Sequence, residues 1–275
     1  MKIVAAGLGI LLVLTTAFLQ RPAAAADALM ISVIAEDWGS VERLANERLA
    51  ADPTDAIALH ALGRMAIDGN VGSQPLRRKL LPQVQSCLAL RPNDGLCQLA
   101  YGQILGVELE SQGMLAALGS VDKVREAFEA AVAAAPADYD ARESLVNFYL
   151  NAPGIVGGSM SKARRHAEEF ARFDSSRAHL LSALVALHED DPAKAENELS
   201  RLPESSGDAD LNRLIANRWL AVGRAYLDQR RYDEAEAAFS RSLAGGAPSV
   251  AVKARQEIGE VLSSRSKKPS PVVGN

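Results

Sequence analysis

The sequence predicts an all-α protein, an α-solenoid of about five to six degenerate helical hairpins closed by a C-terminal capping helix. Three observations predict it. Hydrophobic residues are 48% of the 275 but aromatics only 5%, so the apolar content is largely alanine and leucine, which cost a helix least. β-branched runs are scarce beyond the first 35 residues, and period-two alternation is not sustained anywhere. Helix stops recur at Asp52-Pro53, Arg91-Pro92 and Ala135-Pro136, 39 and then 44 residues apart. Proline ends a helix because it lacks the N–H donor and clashes with the preceding turn.

The first 26 residues stand apart. Lys2 gives a minimal positive start, and Ile3 to Leu19 is a 17-residue apolar run broken only by Thr15 and Thr16. Arg21-Pro22 ends that run, and Ala23 to Ala26 put small residues at the −3 and −1 positions of a cleavage site before Asp27. This is the order of a secretory signal peptide, so 1–26 is expected to be removed and the protein to be periplasmic or secreted. The rival reading is an uncleaved anchor, since about 17 to 20 apolar residues just span a bilayer. The alanine tract behind the apolar run favours cleavage. No cysteine lies near the cut, which argues against a bacterial lipid anchor, and no later segment is apolar enough to span, so the mature protein is expected to be soluble. Cleavage removes Lys2 and Arg21 and no acid, moving the formal charge from −4 to −6. That balance argues against nucleic acid as a partner.

The helical domain is expected over 27–262, with pairs beginning near Val41, Asp55, Asn93, Tyr139, Arg177 and Asn212 and a cap from Ser249 to Leu262. A single hairpin cannot bury its apolar face, so the units stack. Residues 263–275, rich in Ser, Lys and Pro, are expected to be a disordered tail. The clearest unit runs from about Asn212 to Pro248. Trp219, Val222-Gly223 and Tyr226 have the spacing W-x2-L-G-x2-Y with Val for Leu, and Ala235 and Phe239 follow in the second helix. Gly223 and Ala235 permit close helix approach, while Trp219, Tyr226 and Phe239 fill the wedge between. Degenerate echoes lie upstream: Leu59, Leu62-Gly63 and Ala66; Tyr101-Gly102 and Leu105; Phe128, Ala131 and Pro136; Leu145, Phe148 and Tyr149; Ala163, Ala167 and Phe170.

These units resemble the tetratricopeptide repeat (TPR) over residues 37 to 262, with insertions beyond its 34-residue period. The resemblance implies a right-handed solenoid whose first helices line a concave groove for an extended peptide or partner helix. In that register the groove positions include His60, Arg64, Gln103, Glu143, Asn147, Asn217 and Arg224. Arg and Asn there resemble in type the clamp that some TPR domains close on a peptide carboxylate, because forked donors match carboxylate geometry. The lysines of that clamp are absent.

Two other features carry chemistry. Cys87 and Cys97 are the only cysteines, each five residues from Pro92 at the turn between two antiparallel helices. In an oxidising compartment they are expected either to pair, worth roughly 3 kcal/mol on the chain-entropy model, or to be two small buried residues. The segment from Asn151 to Ser159, N-A-P-G-I-V-G-G-S, inserts about five residues where a TPR turn is tight. Gly154, Gly157 and Gly158 admit backbone angles closed to other residues, and Ser159 or Ser161 can cap a helix that opens with Lys162 and Arg164. Free amides, a helix N-terminus and cations would suit an anion; an extended loop packed on its neighbour is the alternative. Phrases of this kind, followed by a K-A helix, resemble a group of exported bacterial TPR proteins of uncharacterised role.

No enzyme is expected. Pro192 stands where H-E-x-x-H needs a second histidine after His188-Glu189, no G-x-S-x-G elbow exists, and no phosphate loop closes on G-K-[ST]. No cofactor or metal is implied. Two functions remain: a periplasmic scaffold binding an unknown protein through the groove, and a small-molecule-binding accessory protein of a periplasmic transport system.

Overall fold

A computed structural model describes residues 27–68, 74–112, 119–244 and 248–266. The expected signal peptide at 1–26 and residues 267–275 of the expected tail lie outside them. Among the described residues all regular structure is helical. Helices α1 (Ala28–Ile34) and α2 (Trp38–Ala51) form an N-terminal pair. The hairpins that follow are α3 (Ala56–Asp68) with α4 (Gln74–Leu90), α5 (Gly95–Gln112) with α6 (Val121–Ala134), and α7 (Tyr139–Asn151) with α8 (Met160–Glu169). Then come α9 (Ser175–His188) with α10 (Pro192–Leu199), α11 (Ala209–Asp228) with α12 (Tyr232–Ser242), and the cap α13 (Pro248–Ser266). The solenoid expected from the sequence is therefore present.

Two boundaries differ from the sequence reading. Val41 lies inside α2 rather than opening a pair, and the partner of α2 is the seven-residue α1 upstream. So short a helix beside the alanine tract gives no periodic pattern of its own. The cap also runs past Leu262 to Ser266, because the Ser and Arg residues there do not break a helix.

Local chemistry explains the punctuation. Asp37, Asp138, Asp174, Asp191 and Asp208 each accept the backbone N–H three residues on, capping α2, α7, α9, α10 and α11. Each such cap contributes about 1 kcal/mol. The last two hairpin turns are tight and pass through a left-handed residue, Asp190 (φ 58°) and Arg230 (φ 59°).

The hairpins interlock through glycine and phenylalanine. A Cβ on Gly223 would lie 2.4 Å from the Phe239 ring, and one on Gly102 would lie 2.5 Å from the Phe128 ring. The same helix-to-helix approach thus recurs in two units, across 16 residues in one and 26 in the other, so the insertion sits inside the α5–α6 hairpin. Inner helices α3, α5, α7, α9 and α11 touch in succession, and α1 also touches α11, so the curved array meets itself across its concave side.

Candidate binding groove

The concave side is held by ion pairs that skip a hairpin. From α3, Arg64 donates to Asp140 Oδ1 of α7 at 2.8 Å, and His60 Nε2 lies 3.3 Å from Oδ2. From α11, Arg218 donates to Glu143 Oε1 at 2.5 Å, and the Tyr139 hydroxyl donates to the same oxygen at 2.9 Å. Burial would raise the Asp140 carboxyl, but Arg64, the hydrogen bond from His60 and the charge of Arg213 outweigh it and hold it well below the usual carboxylate range. Burial and the neighbouring Glu143 push the Tyr139 hydroxyl well above its ordinary value, so it stays a neutral donor. Opposite charges therefore cancel along the inner wall.

Beyond this paired region, toward the C-terminal ends of the inner helices, the groove opens. A cavity of about 620 Å³ is walled by Ile67, Val107, Val121, Val124, Phe128 and Phe148, with Gln103, Ser144, Asn147 and Asn151 among its polar groups. A second depression of about 420 Å³ lies between Leu150, Leu184, Leu187, His188, Arg224 and Asp228. Asn147 and Asn151 line both and form the ridge between them. Asn151 Nδ2 donates to the Asn147 carbonyl, while the Asn147 carboxamide makes no hydrogen bond to a described residue. Pro153 and Val156 extend the wall of the larger cavity from the α7–α8 loop.

The groove residues named from the sequence are thus partly brought together. Arg64, Gln103, Glu143 and Asn147 line the larger cavity and Arg224 the smaller. His60 is buried behind them against Asp140, and Arg224 is tied to Glu257 of the cap at 2.6 Å. Asn217 lines neither depression; its neighbour Arg218 is the residue that reaches inward, a one-residue shift of register on α11. Sequence reasoning missed Asp140 and Arg218, whose only signal is their place on inner helices, and the valines of α6.

The α7–α8 loop is not an open amide nest. Gly157 N–H donates to the Gly154 carbonyl, Gly158 N–H to Pro153, and Ser159 N–H to Tyr149. A Cβ on Gly158 would lie 1.7 Å from the Ala152 carbonyl oxygen, and Gly157 takes a left-handed φ of 97°, so both positions require glycine. Ser159 caps α8, Lys162 lies over the Tyr149 ring, and Arg164 pairs with Glu189. These amides and Arg164 are already engaged within the fold, as the structural alternative requires. Cys87 and Cys97 meet across the α4–α5 turn with Cα atoms 5.7 Å apart and sulfurs at disulfide distance. Their backbone separation is within the range a disulfide spans.

Comparison with solved structures bears on the architecture. A thermophilic TPR protein from Thermus thermophilus superposes at TM-score 0.50 and 17% identity, over 74% of this chain and 99% of that one. A chain of the APC/C hetero-tetramer Cut9–Hcn1 superposes at TM-score 0.52 and 14% identity, over 86% of this chain and 42% of that one. The fold is the TPR fold. A TPR protein from Parabacteroides merdae ATCC 43184 also matches, at 14% identity and TM-score 0.38, over 85% of this chain and 96% of that one. No protein-family model matches the chain, and no curated protein does so by sequence. Among the described residues no helix is long and apolar enough to cross a membrane.

Proposed function

We propose that this chain is an exported, non-enzymatic adaptor that holds a segment of another protein in the groove lined by α3, α5, α7 and α11. One observation carries the reading. The concave side offers a large apolar-walled cavity beside a carboxamide, Asn147, with no hydrogen-bond partner among the described residues. TPR neighbours support protein binding as the general use of the fold. Three of the four histidines are committed to structure: His60 to Asp140, His166 to Arg142 and His179 to Glu198. Export is supported by the signal-like order of 1–26 and by two cysteines placed to pair, which suits an oxidising compartment.

A second reading is favoured by the size of the cavity, which falls within the roughly 300 to 1,000 Å³ typical of small-molecule sites. On that reading the chain is a ligand-binding accessory protein of a periplasmic transport system. Native mass spectrometry of the mature protein, gently isolated from the periplasm of its own host, separates the two. Extra mass of tens of kilodaltons is the result expected of an adaptor. Extra mass of a few hundred daltons would sink the adaptor reading and install the second.

A further inference from the structure

The charge state and shape of the groove say what kind of segment it takes. Arg64 and Arg218 are the cations that a carboxylate clamp would need, and both are spent on Asp140 and Glu143 inside the same wall. An acidic ligand would have to break those pairs, and a basic one would have to displace the arginines. What remains available in the larger cavity, among the described residues, is neutral: its apolar wall and the carboxamides of Asn147 and Asn151. Those two stand four residues apart on α7, about 6 Å along the axis. Alternate residues of an extended chain repeat every ~6.6 Å, which is close enough for one carboxamide to serve each repeat. A depression on either side of the ridge gives side chains of such a strand somewhere to go. The lip of the larger cavity is apolar as well. Ile67 is 41% exposed, and Ile155, between the cavity-lining Pro153 and Val156, is 89% exposed.

We propose that the groove binds an extended, locally uncharged stretch of a partner polypeptide. It seats one large aliphatic or aromatic side chain in the cavity bounded by Val107, Val121, Val124 and Phe148, with the Asn147 carboxamide bonded to the adjacent peptide unit. Recognition rests on the adaptor reading above and specifies its substrate class: an internal apolar anchor, not a chain-terminal carboxylate. Gly106 gives a handle on this site. It lines the cavity, and a Cβ there would meet only Val124 Cγ1 at 3.6 Å, so a larger side chain enters the cavity rather than the core.

The probe is a set of blocked tripeptides titrated into the mature chain carrying ¹³C-labelled valine methyls. Acetyl-Ala-Leu-Ala-amide is expected to shift Val107, Val121 and Val124 and to bind at least tenfold more tightly than acetyl-Ala-Ala-Ala-amide. The Leu peptide with a free carboxylate is expected to bind within twofold of its amide, and an Asp-centred amide at least tenfold more weakly. Gly106→Leu is expected to cut binding of the Leu peptide at least tenfold. Should Gly106→Leu unfold the chain, Asn147→Ala serves, with an expected loss of threefold or more at unchanged Tm. A free-carboxylate peptide favoured tenfold, equal binding of the Leu and Ala peptides, or unmoved valine methyls would each overturn the assignment. A protein partner retained in the native mass spectrum with unmoved valines would leave the adaptor reading standing alone. A retained compound of a few hundred daltons would mean that the adaptor reading itself has failed.

Discussion

Gly102 and Gly106 lie one turn apart in α5, and the same substitution at each should have opposite signs. Replacing an interior helical glycine by alanine gains about 0.5–1 kcal/mol, because glycine loses the most conformational freedom on folding. At Gly106 the new methyl meets Val124 Cγ1 at 3.6 Å, an ordinary contact, so that gain should appear in full. At Gly102 the methyl would sit 2.5 Å from Cε1 and 2.7 Å from Cδ1 of the buried Phe128 ring. Overpacking of a filled core costs about 1–3 kcal/mol, which exceeds the helical gain and leaves a net loss of about 1–2 kcal/mol. The helical gain is common to both, so the two variants should differ by the overpacking cost, about 1–3 kcal/mol, or roughly 2–12 °C in Tm at the usual 2–4 °C per kcal/mol for a chain of this size. Urea titration followed by far-UV circular dichroism reads the difference. Amide exchange in α5 and α6 localises it, as a solenoid need not unfold in one step. Gly102→Ala as stable as Gly106→Ala would refute the packing account.

Three further outcomes are expected. Reduction of the mature protein, or Cys87→Ser with Cys97→Ser, should lower stability by roughly 3 kcal/mol in urea titration, the chain-entropy value for a loop of this length. Asp140→Asn removes the carboxylate that Arg64 and His60 meet in a partly buried site and should cost about 2 kcal/mol. Because the Asp140 carboxyl is held below its ordinary value of 3.8, the stability it contributes is present above that pH and lost as pH falls beneath it, so acid titration of the variant should be flatter there. His166 is held below its ordinary 6.5 by burial first and then by Arg142, whose guanidinium contacts its ring at 2.9 Å. The unfolded chain takes up that proton more readily, so stability is full above about pH 6.5 and declines as pH drops below it. His166→Gln should flatten the portion of a Tm curve between about pH 5 and 7, and an unchanged slope would show that the ring is not buried neutral.

Much of the fold was legible because its devices are local. Proline stops and aspartate caps act within a turn, and the Gly223–Phe239 pairing within one hairpin, and each leaves its residue type in the sequence. The cysteines were legible for the same reason, flanking one turn symmetrically. The groove was only half legible. Inner-helix register identified Arg64, Gln103, Glu143 and Asn147, but it could not show that Arg64 meets Asp140 76 positions away, or that Arg218 rather than Asn217 reaches Glu143. Those pairings arise from the curvature of the whole array, which no short segment encodes. The α7–α8 loop was legible as an insertion but not in its use. Its glycines look available for a ligand, yet Gly158 is required by its own Ala152 carbonyl and the amides close on the loop itself.

Photocrosslinking from the ridge tests the central claim most directly. A benzophenone amino acid replaces Asn147 in one version of the chain and Glu126 of α6, on the outer layer, in another, and both are irradiated in the native host. One protein should be captured from position 147 and be absent from position 126. Capture of that protein from position 126 alone, with nothing taken at 147, would contradict a binding site on the concave face.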